Sequence, residues 1–398
     1  MRLARRPRFL QQSDGIRPFR CRRHAVLGLG FSLAILLIGL SLGFDPRLAQ
    51  RAEPAGYSHW SYLPLVLRPA GARSSSFAYG VSVANLGNAR AVSALGFGWL
   101  KAQLKWSSVQ PTQGAAYIWA DLDNIMAAAE TASLKVLLRV DGAPAWTHPA
   151  NPAASAPPAE AYLGAWGDFL AALTTHVNRR IWAYEIWNEP NLSVEWGGQS
   201  PSPIYYTRLL ETAYQRIKGV DPNALVITAG LATTGGDGGA TSMDDVAFIR
   251  ALYAAGAKGF FDVLGSHPYG FASSPDQLNP NGVTDFRRVA DQYQVMVEQG
   301  DGQKEVWATE FGWLLTASCD WPDRNWQKVS EQDQASYLVR AYEVARTEWP
   351  WMGAMFVFNL DFAMVPWYQE CDPMRYYSLL DPSGSPRQAY TSLKAMPK

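Results

Sequence analysis

Short apolar segments alternate with amphipathic helical segments eight times between residue 77 and the C-terminus. Each apolar segment has the length and composition expected of a parallel strand that is buried on both faces. The predicted strands are Ala78–Val83, Trp99–Leu104, Lys135–Val140, Trp182–Trp187, Leu225–Gly230, Phe261–Ser266, Glu305–Thr309 and Ala354–Phe358. Helices are predicted between them, for example at 159–177, 204–218, 243–257 and 331–347, with a short last helix at 388–395. This alternation predicts βαβ units and a parallel sheet.

Eight such units in about 320 residues favour a closed (β/α)₈ barrel, a TIM barrel, with the residues beyond the usual ~250 placed in loops. A doubly wound open sheet is the structural alternative, and it usually carries a glycine-rich turn after its first strand. Residues 81–87 read VSVANLG, which is not that turn. We therefore predict an α/β protein whose barrel covers residues 76–398.

An uncharged stretch of twenty residues, Ala25–Phe44, precedes the barrel. Twenty helical residues rise about 30 Å, which is enough to cross the hydrocarbon core of a bilayer. Eight arginines in residues 1–24 predict a basic cytoplasmic arm and export of the rest of the chain. A transmembrane anchor is favoured over a cleaved signal peptide, because signal cores usually have about 7–15 apolar residues. Residues 45–75 are predicted to be a linker, and the body to be extracytoplasmic, either anchored or, after cleavage, secreted.

The formal net charge of zero averages regions of opposite sign. Many of the arginines lie before residue 74, so acidic residues outnumber basic ones in residues 74–398. This negative charge argues against a nucleic-acid partner. The sequence contains no CxxC pair and no HExxH motif, so we predict neither a metal site nor a cofactor. Membrane contact is expected through residues 25–44 only, and the protein is expected to be monomeric.

Two glutamates lie at predicted strand ends, where barrel enzymes hold their catalytic residues. Glu189 follows strand four in the run IWNEPN, and Glu310 ends strand seven in WATEFGW. A facing pair of carboxyl groups suits glycoside hydrolysis, in which one protonates the leaving oxygen and the other attacks the anomeric carbon or activates water. We expect Trp187 to desolvate Glu189 as a proton donor, and Tyr269 to hydrogen-bond Glu310 and keep it ionised.

The runs WNEPN at 187–191 and TEFGW at 309–313, about 120 residues apart, resemble a known clan. They are similar to the retaining (β/α)₈ glycoside hydrolases with glutamates after strands four and seven, especially the cellulase-like and β-xylosidase-like branches. The resemblance covers residues 77–397. It implies that Glu189 is the acid/base, that Glu310 is the nucleophile and that Asn188 binds the sugar 2-hydroxyl. It also implies substrate contacts by His267 and Tyr269.

The sequence departs from the clan pattern at two places. Members commonly carry an arginine near the end of strand two, where this chain has Lys101. Many carry a tryptophan platform after strand eight, where this chain reads FVFNLD at 356–361. Among its other tryptophans, Trp313 is the one we expect to contact sugar.

The predicted activity is that of an O-glycosyl hydrolase, a retaining β-glycosidase that cleaves a poly- or oligosaccharide by double displacement. The alternative is a non-catalytic carbohydrate-binding barrel on the cell surface. The presence of both Glu189 and Glu310 favours the enzyme.

Cys319 and Cys371 are predicted to form a disulfide. Cys21 belongs to the basic arm, so these two are the cysteines of the exported body. They lie in the loops after strands seven and eight, which adjacent barrel strands bring to one face, and an oxidising compartment would preserve the bond. Two buried free thiols are the alternative.

Overall fold

The computed structural model describes residues 77–151 and 153–398, in which strands and helices alternate. The barrel strands are β1 (Ala78–Ser82), β2 (Trp99–Lys105), β3 (Lys135–Asp141), β4 (Ala183–Ile186), β5 (Leu225–Thr228), β6 (Val263–His267), β7 (Glu305–Phe311) and β8 (Met352–Val357). The helices that follow them are α1 (Ala89–Ala94), α2 (Ala120–Thr131), α3 (Leu163–Val177), α4 (Pro203–Val220), α5 (Asp245–Ala254), α6 (Val289–Glu298), α7 (Glu331–Glu348) and α8 (Gln388–Ala395).

The eight strands form a closed parallel sheet. Each strand pairs with the next along the chain, and β8 returns to β1, where Ala78 faces Ala354. The predicted (β/α)₈ barrel is therefore confirmed. Every predicted strand overlaps its observed counterpart, because the buried parallel strands are read directly from their apolar runs.

A cluster of large side chains fills the N-terminal end of the barrel. Its buried members are Trp99, Leu137, Ala183, Ile227, Val263, Trp307, Ala354 and Phe356. The ring of Trp99 meets Trp307 and Phe356 edge to face, at centroid distances of 5.3 and 6.2 Å. Gly80 makes room for this packing, because a Cβ there would overlap the ring of Phe356. We call Trp99, Trp307 and Phe356 the aromatic plug.

Three of these eight helices, α4, α5 and α7, begin at side-chain caps. Ser330 accepts a hydrogen bond from the backbone N–H of Asp333 at 3.0 Å, at the start that the sequence indicates for α7. Ser202 caps α4 in the same way, and Pro203 occupies the first turn, where no N–H is needed. These caps satisfy backbone donors that helix geometry leaves without a partner.

The predicted arm at 1–24, membrane segment at 25–44 and linker at 45–75 lie outside the described residues. Within 77–151 and 153–398, none of the helices has the length and apolar character needed to span a bilayer. In those same ranges, no group of three or more His, Cys, Asp and Glu side chains is arranged to hold a metal ion.

The predicted disulfide between Cys319 and Cys371 is confirmed, with Cα atoms 5.5 Å apart. It joins the loop after β7 to the loop after β8. The indole of Trp321 donates a hydrogen bond to the carbonyl of Cys371 at 2.7 Å, and Lys328 Nζ donates to the carbonyl of Cys319 at 2.7 Å. Both ends of the cross-link are therefore held by neighbouring side chains.

Reduction of this disulfide is expected to destabilise the protein. The cysteines are 52 residues apart, and closing a segment of that length contributes about 3–4 kcal/mol in the chain-entropy model. Denaturant unfolding with and without reductant measures the effect. A C319S/C371S double variant should not respond to reductant. An unchanged unfolding midpoint after release of both thiols would contradict the prediction.

Candidate active site

The carboxyl ends of the strands open into a cleft of about 1040 Å³. Asn188, Glu189, Tyr269 and Glu310 line it, so four of the predicted site residues meet in one place. His267 lies directly beneath them and is fully buried. The volume is at the upper end of the roughly 300–1,000 Å³ that is usual for small-molecule sites.

The barrel interior becomes charged between the aromatic plug and the cleft. Lys101 on β2, Arg139 on β3 and Glu185 on β4 each lie two residues beyond a member of the apolar cluster. Because strand side chains alternate with a period of two, all three point into the barrel. None of the three was predicted as a site residue from the sequence. Each of them is a charged residue within a largely apolar strand. That pattern could have pointed to the site, because a buried charge needs a partner.

Lys101 and Glu185 form a buried ion pair beneath the cleft. Lys101 Nζ lies 2.7 Å from Glu185 Oε2 and 3.0 Å from Glu310 Oε1, and the two pair members are 4% and 0% exposed. Thr309 Oγ1 also donates to Glu185, at 2.6 Å. Burial alone would raise the pKa of Glu185, but the charge of Lys101 and the hydrogen bond from His267 hold it well below its usual value.

Glu310 is held at both carboxylate oxygens. Oε1 accepts hydrogen bonds from Lys101 Nζ at 3.0 Å and Arg139 Nη1 at 3.1 Å. Oε2 accepts one from Tyr269 Oη at 2.9 Å, which is the hydrogen bond expected from the sequence. Burial by itself would raise the pKa of Glu310, but His267 and the two neighbouring cations outweigh it and lower the pKa to about 2. The group is therefore an anion at neutral pH.

Arg139 connects the turn after β4 with Glu310 on β7. Its Nη1 donates to Asn188 Oδ1 at 2.8 Å as well as to Glu310, and its Nε lies 2.9 Å from Asp141 Oδ2. A guanidinium therefore reaches Glu310 from β3, beside the ammonium of Lys101 from β2. The planar guanidinium thus contacts three acceptors at once, which its fixed fork of N–H donors allows.

The turn after β4 holds its residues in an uncommon conformation. Trp187 and Glu189 have φ angles of +77° and +37°, in the left-handed region that side chains disfavour. Asn191 fixes the turn: its amide donates to the carbonyls of Ala232 and Met243, at 2.8 and 3.1 Å. Such conformations cost about 1–3 kcal/mol each and persist where the surrounding structure enforces them, often at functional sites.

His267 bridges the two predicted catalytic glutamates. Its Nδ1 lies 2.9 Å from Glu189 Oε1 and 3.8 Å from Glu310 Oε2, and its Nε2 lies 3.4 Å from Glu185 Oε1. Burial lowers the pKa of His267, but Glu310 and the hydrogen bonds to the other two carboxylates raise it to about 9. The ring is therefore a cation at neutral pH. Gly230 is required beside it, because a Cβ there would overlap the ring.

Protein stability should fall as the pH rises through about 9, because His267 then loses its proton. The folded-state pKa lies above the unfolded value of 6.5, so the contribution is complete below pH 6.5 and disappears at higher pH. Denaturant unfolding at pH 6.5 and 9.5 measures the decrease. A His267→Gln variant should show a smaller decrease, and an equal one in both proteins would refute the assignment.

Two sequence-based expectations about tryptophans are wrong. Trp313 does not face the cleft: it is 0% exposed, packs against Phe286 and Phe311, and donates its N–H to the carbonyl of Ser273 at 2.8 Å. Trp187 does not line the cleft either. It is 2% exposed, and its ring packs against Trp166 on α3 and against Trp196, at centroid distances of 6.4 and 5.8 Å.

Aromatic side chains that do line the cleft come from other loops. Besides Tyr269, they are Phe271 after β6, and Phe358, Phe362, Trp367, Tyr368 and Tyr377 after β8. The loop after β8 is thus the main source of flat apolar surface. The sequence offers Trp367 only as one of several tryptophans that suit either a core or a sugar platform, and it does not single out the others, because no period marks loop side chains that face a ligand.

A family model described as Cellulase (glycosyl hydrolase family 5) matches residues 73–351. The chain belongs to this cellulase family. No curated protein sequence matches the cellulase-family chain significantly. Its fold is that of several solved glycoside hydrolases, and in each case the identity is below 25%.

One similar structure is a family 39 glycoside hydrolase from Bacteroides cellulosilyticus, with 23% identity and a TM-score of 0.62; the alignment covers 79% of this chain and 62% of that one. A family 39 β-xylosidase from Caulobacter crescentus has 19% identity and a TM-score of 0.56, covering 80% and 70%. Xylanase 10B from Thermotoga petrophila has 17% identity and a TM-score of 0.54, covering 80% and 93%. The cellulase-family chain thus spans less than two thirds of the first of these proteins.

Proposed function

We propose that the chain is a retaining β-glycosidase that hydrolyses a poly- or oligosaccharide by double displacement. The observation that carries the proposal is the pair of carboxyl groups that face one cleft in different surroundings. Glu310 is held as an anion by two cations and a phenol. Glu189 is 17% exposed and contacts His267. An ionised nucleophile beside a carboxyl group that is accessible to the leaving oxygen is the arrangement that retention requires.

In the first step, Glu310 attacks the anomeric carbon while the bond from that carbon to the leaving oxygen breaks. Glu189 gives its proton to that oxygen, and a glycosyl ester on Glu310 results. In the second step, Glu189 removes a proton from water, whose oxygen displaces Glu310 from the anomeric carbon. The reaction consumes one water and uses side chains alone.

The charges around the site support these roles. Three cations, Lys101, Arg139 and His267, lie among five carboxyl groups, those of Asp141, Glu185, Glu189, Glu195 and Glu310. Lys101 and Arg139 keep Glu310 ionised. Glu189 faces the cleft, where it can act on the leaving oxygen.

Asn188 is placed to hold the sugar. Its carbonyl oxygen accepts a hydrogen bond from Arg139 at 2.8 Å, and its amide also donates to the carboxylate of Glu195, so the remaining amide N–H is the one left to bind substrate. A hydrogen bond to the 2-hydroxyl that strengthens in the transition state contributes several kcal/mol in such enzymes. His267 Nδ1 lies 2.9 Å from Glu189 Oε1 and 3.8 Å from Glu310 Oε2. Two carboxyl groups near one atom favour the spacing of retaining enzymes, about 5–5.5 Å, over the wider spacing of inverting ones.

NMR of the first-formed product anomer tests the proposal, with aryl β-glycosides of glucose, xylose, mannose and galactose as substrates. Retention of the β configuration is the expected result. An α product would contradict the double displacement. Binding of oligosaccharides without hydrolysis of any substrate would favour the non-catalytic barrel.

We also propose that the enzyme works outside the cytoplasm as a monomer, attached to the membrane through residues 25–44. The basic arm and uncharged run support export, and the disulfide suits an oxidising compartment. Mass measurement of the native N-terminus is the test. A mature chain that begins between about residues 44 and 55 would indicate cleavage of a signal peptide instead. Light scattering of the purified protein tests the monomer.

A further inference from the structure

Each of the two cations that bind Glu310 Oε1 also contacts a second carboxylate. Lys101 Nζ lies 3.0 Å from Glu310 Oε1 and 2.7 Å from Glu185 Oε2. Arg139 Nη1 lies 3.1 Å from the same oxygen of Glu310, and its Nε lies 2.9 Å from Asp141 Oδ2. We call Glu185 and Asp141 the flanking carboxylates. Neither of them lines the cleft, so the two steps of the reaction do not use them directly.

The flanking carboxylates are fixed in the barrel interior by donors of their own. Glu185 is fully buried, and Asp141 is 5% exposed. Glu185 Oε1 accepts hydrogen bonds from Thr309 Oγ1 at 2.6 Å and from the backbone N–H of Gly230 at 3.2 Å. Gln103 Nε2 donates to Asp141 Oδ1 at 2.8 Å. Their positions therefore do not depend on the charge of the nucleophile.

The first step of the proposed reaction moves a negative charge away from Lys101 and Arg139. When Glu310 bonds to the anomeric carbon, its carboxylate becomes a neutral ester. The bond from that carbon to the leaving oxygen breaks, its electron pair goes to the oxygen, and the oxygen takes the proton of Glu189. Glu189 is then the anion, and it lies 2.9 Å from His267 Nδ1. The imidazolium thus keeps an anion beside it, whereas the lysine and the arginine lose one.

The loss matters because these cations lie in the protein interior. Lys101 is 3% exposed, so water does not replace the charge that Glu310 gives up. A buried charge that is left without its opposite is strongly destabilising. The reaction does not consume the flanking carboxylates. Lys101 therefore still contacts Glu185, and Arg139 still contacts Asp141, while the ester exists.

We propose that the flanking carboxylates are positioning residues, which keep Lys101 and Arg139 charged and in place while Glu310 carries the sugar. This inference rests on the proposed double displacement. The flanking carboxylates lower the energy of the glycosyl ester relative to the free enzyme. Their removal should therefore slow formation of the ester. It should not slow breakdown of the ester, because Glu310 then regains its charge beside the two cations.

The test uses 2,4-dinitrophenyl 2-deoxy-2-fluoro-β-glycosides of the gluco, xylo, manno and galacto series. The fluorine slows both steps, so that each can be followed separately. Release of dinitrophenolate measures formation of the ester, and the mass of the intact protein verifies one sugar per chain. Recovery of activity in azide, after excess reagent is removed, measures breakdown. Neither step then needs a proton from or to Glu189, so the comparison isolates the charge of Glu310.

Glu185→Gln keeps the size of the side chain and removes its charge. It should lower the rate constant for ester formation at least about tenfold, and it should not lower the rate constant for breakdown. Asp141→Asn should act in the same direction but less strongly, because the side chain of Arg139 is 16% exposed and water can partly solvate it. Glu185→Asp keeps the charge and should recover most of the loss.

Asp262→Asn is the matched control, because Asp262 also pairs with a lysine, Lys218, at 2.8 Å, but precedes β6 at the far end of the barrel. It should change neither rate constant. Equal losses of both rate constants in Glu185→Gln would mean that the flanking carboxylates only shape the site, while the proposed function stands. Asp141→Asn decides in the same way if Glu185→Gln does not fold. If the unchanged enzyme forms no ester, the double displacement fails, and this inference fails with it.

Discussion

Replacement of Glu310 by alanine lowers kcat by about 10⁵-fold or more, the size of loss seen when a covalent nucleophile is removed from an enzyme. The reason is that Glu310 is the group that forms the covalent bond to the anomeric carbon in the proposed mechanism. Stopped assays with a nitrophenyl β-glycoside measure the loss. Glu305→Gln is the matched control, because Glu305 lies on the same strand β7 at the far end of the barrel. It should keep nearly full activity.

Added azide distinguishes the role of Glu310 from the role of Glu189 in the same assay. In Glu310→Ala, azide attacks the anomeric carbon directly, expels nitrophenolate and gives the α-glycosyl azide. In Glu189→Ala, azide instead displaces Glu310 from the glycosyl ester and gives the β-glycosyl azide. The same anomer from both variants would show that the roles of Glu189 and Glu310 are wrongly assigned.

Lys101→Met should lower the free energy of unfolding by about 3–5 kcal/mol, because it leaves a buried carboxylate without its cation. Lys101 Nζ contacts both Glu185 and Glu310, and all three side chains are almost inaccessible to solvent. The same change removes a positive charge that holds the pKa of Glu310 down, so that pKa should rise. Denaturant unfolding measures the first effect, and the acid limb of the kcat/KM profile measures the second.

A double-mutant cycle shows whether this loss belongs to the ion pair. Removing both charges, in Lys101→Met with Glu185→Leu, should recover part of the stability that Lys101→Met loses. Lys135→Met on β3 is the control, since that ammonium lies against the exposed indole of Trp182. Additive losses at Lys101 and Glu185 would mean that the two side chains do not stabilise each other.

The sequence predicts the barrel and the two glutamates because both are local signals. Apolar runs mark the buried strands, and the residues that end these runs lie at one rim of the barrel. The disulfide followed from the same reasoning, since loops after adjacent strands share a face. By contrast, the contacts of Lys101, Arg139 and Glu185 depend on strand register and on which side chains meet across the barrel, and one sequence does not specify those distances.

The errors on tryptophan have a different cause. Trp313 follows Phe311 by two residues, and an aromatic residue next to a catalytic motif fits a core as well as a sugar site. In the structure its ring packs against Phe286 and Phe311 and its N–H bonds the carbonyl of Ser273, and one sequence does not specify such contacts. At Trp187, the positive φ angle reverses the direction expected from the strand period. Local conformational exceptions of this kind are concentrated at functional sites, where sequence rules are least dependable.

The aromatic plug has a practical consequence for engineering. Trp99, Trp307 and Phe356 fill the end of the barrel that lies away from the cleft. Stabilising substitutions often reduce activity when they stiffen or reshape a catalytic site. A mutagenesis library directed at the residues around the plug would therefore search for heat tolerance at positions that do not contact the substrate. A second library in the loops after β1 and β8 would seek new sugar preferences, and gains from the two should combine, because distant sites are nearly additive.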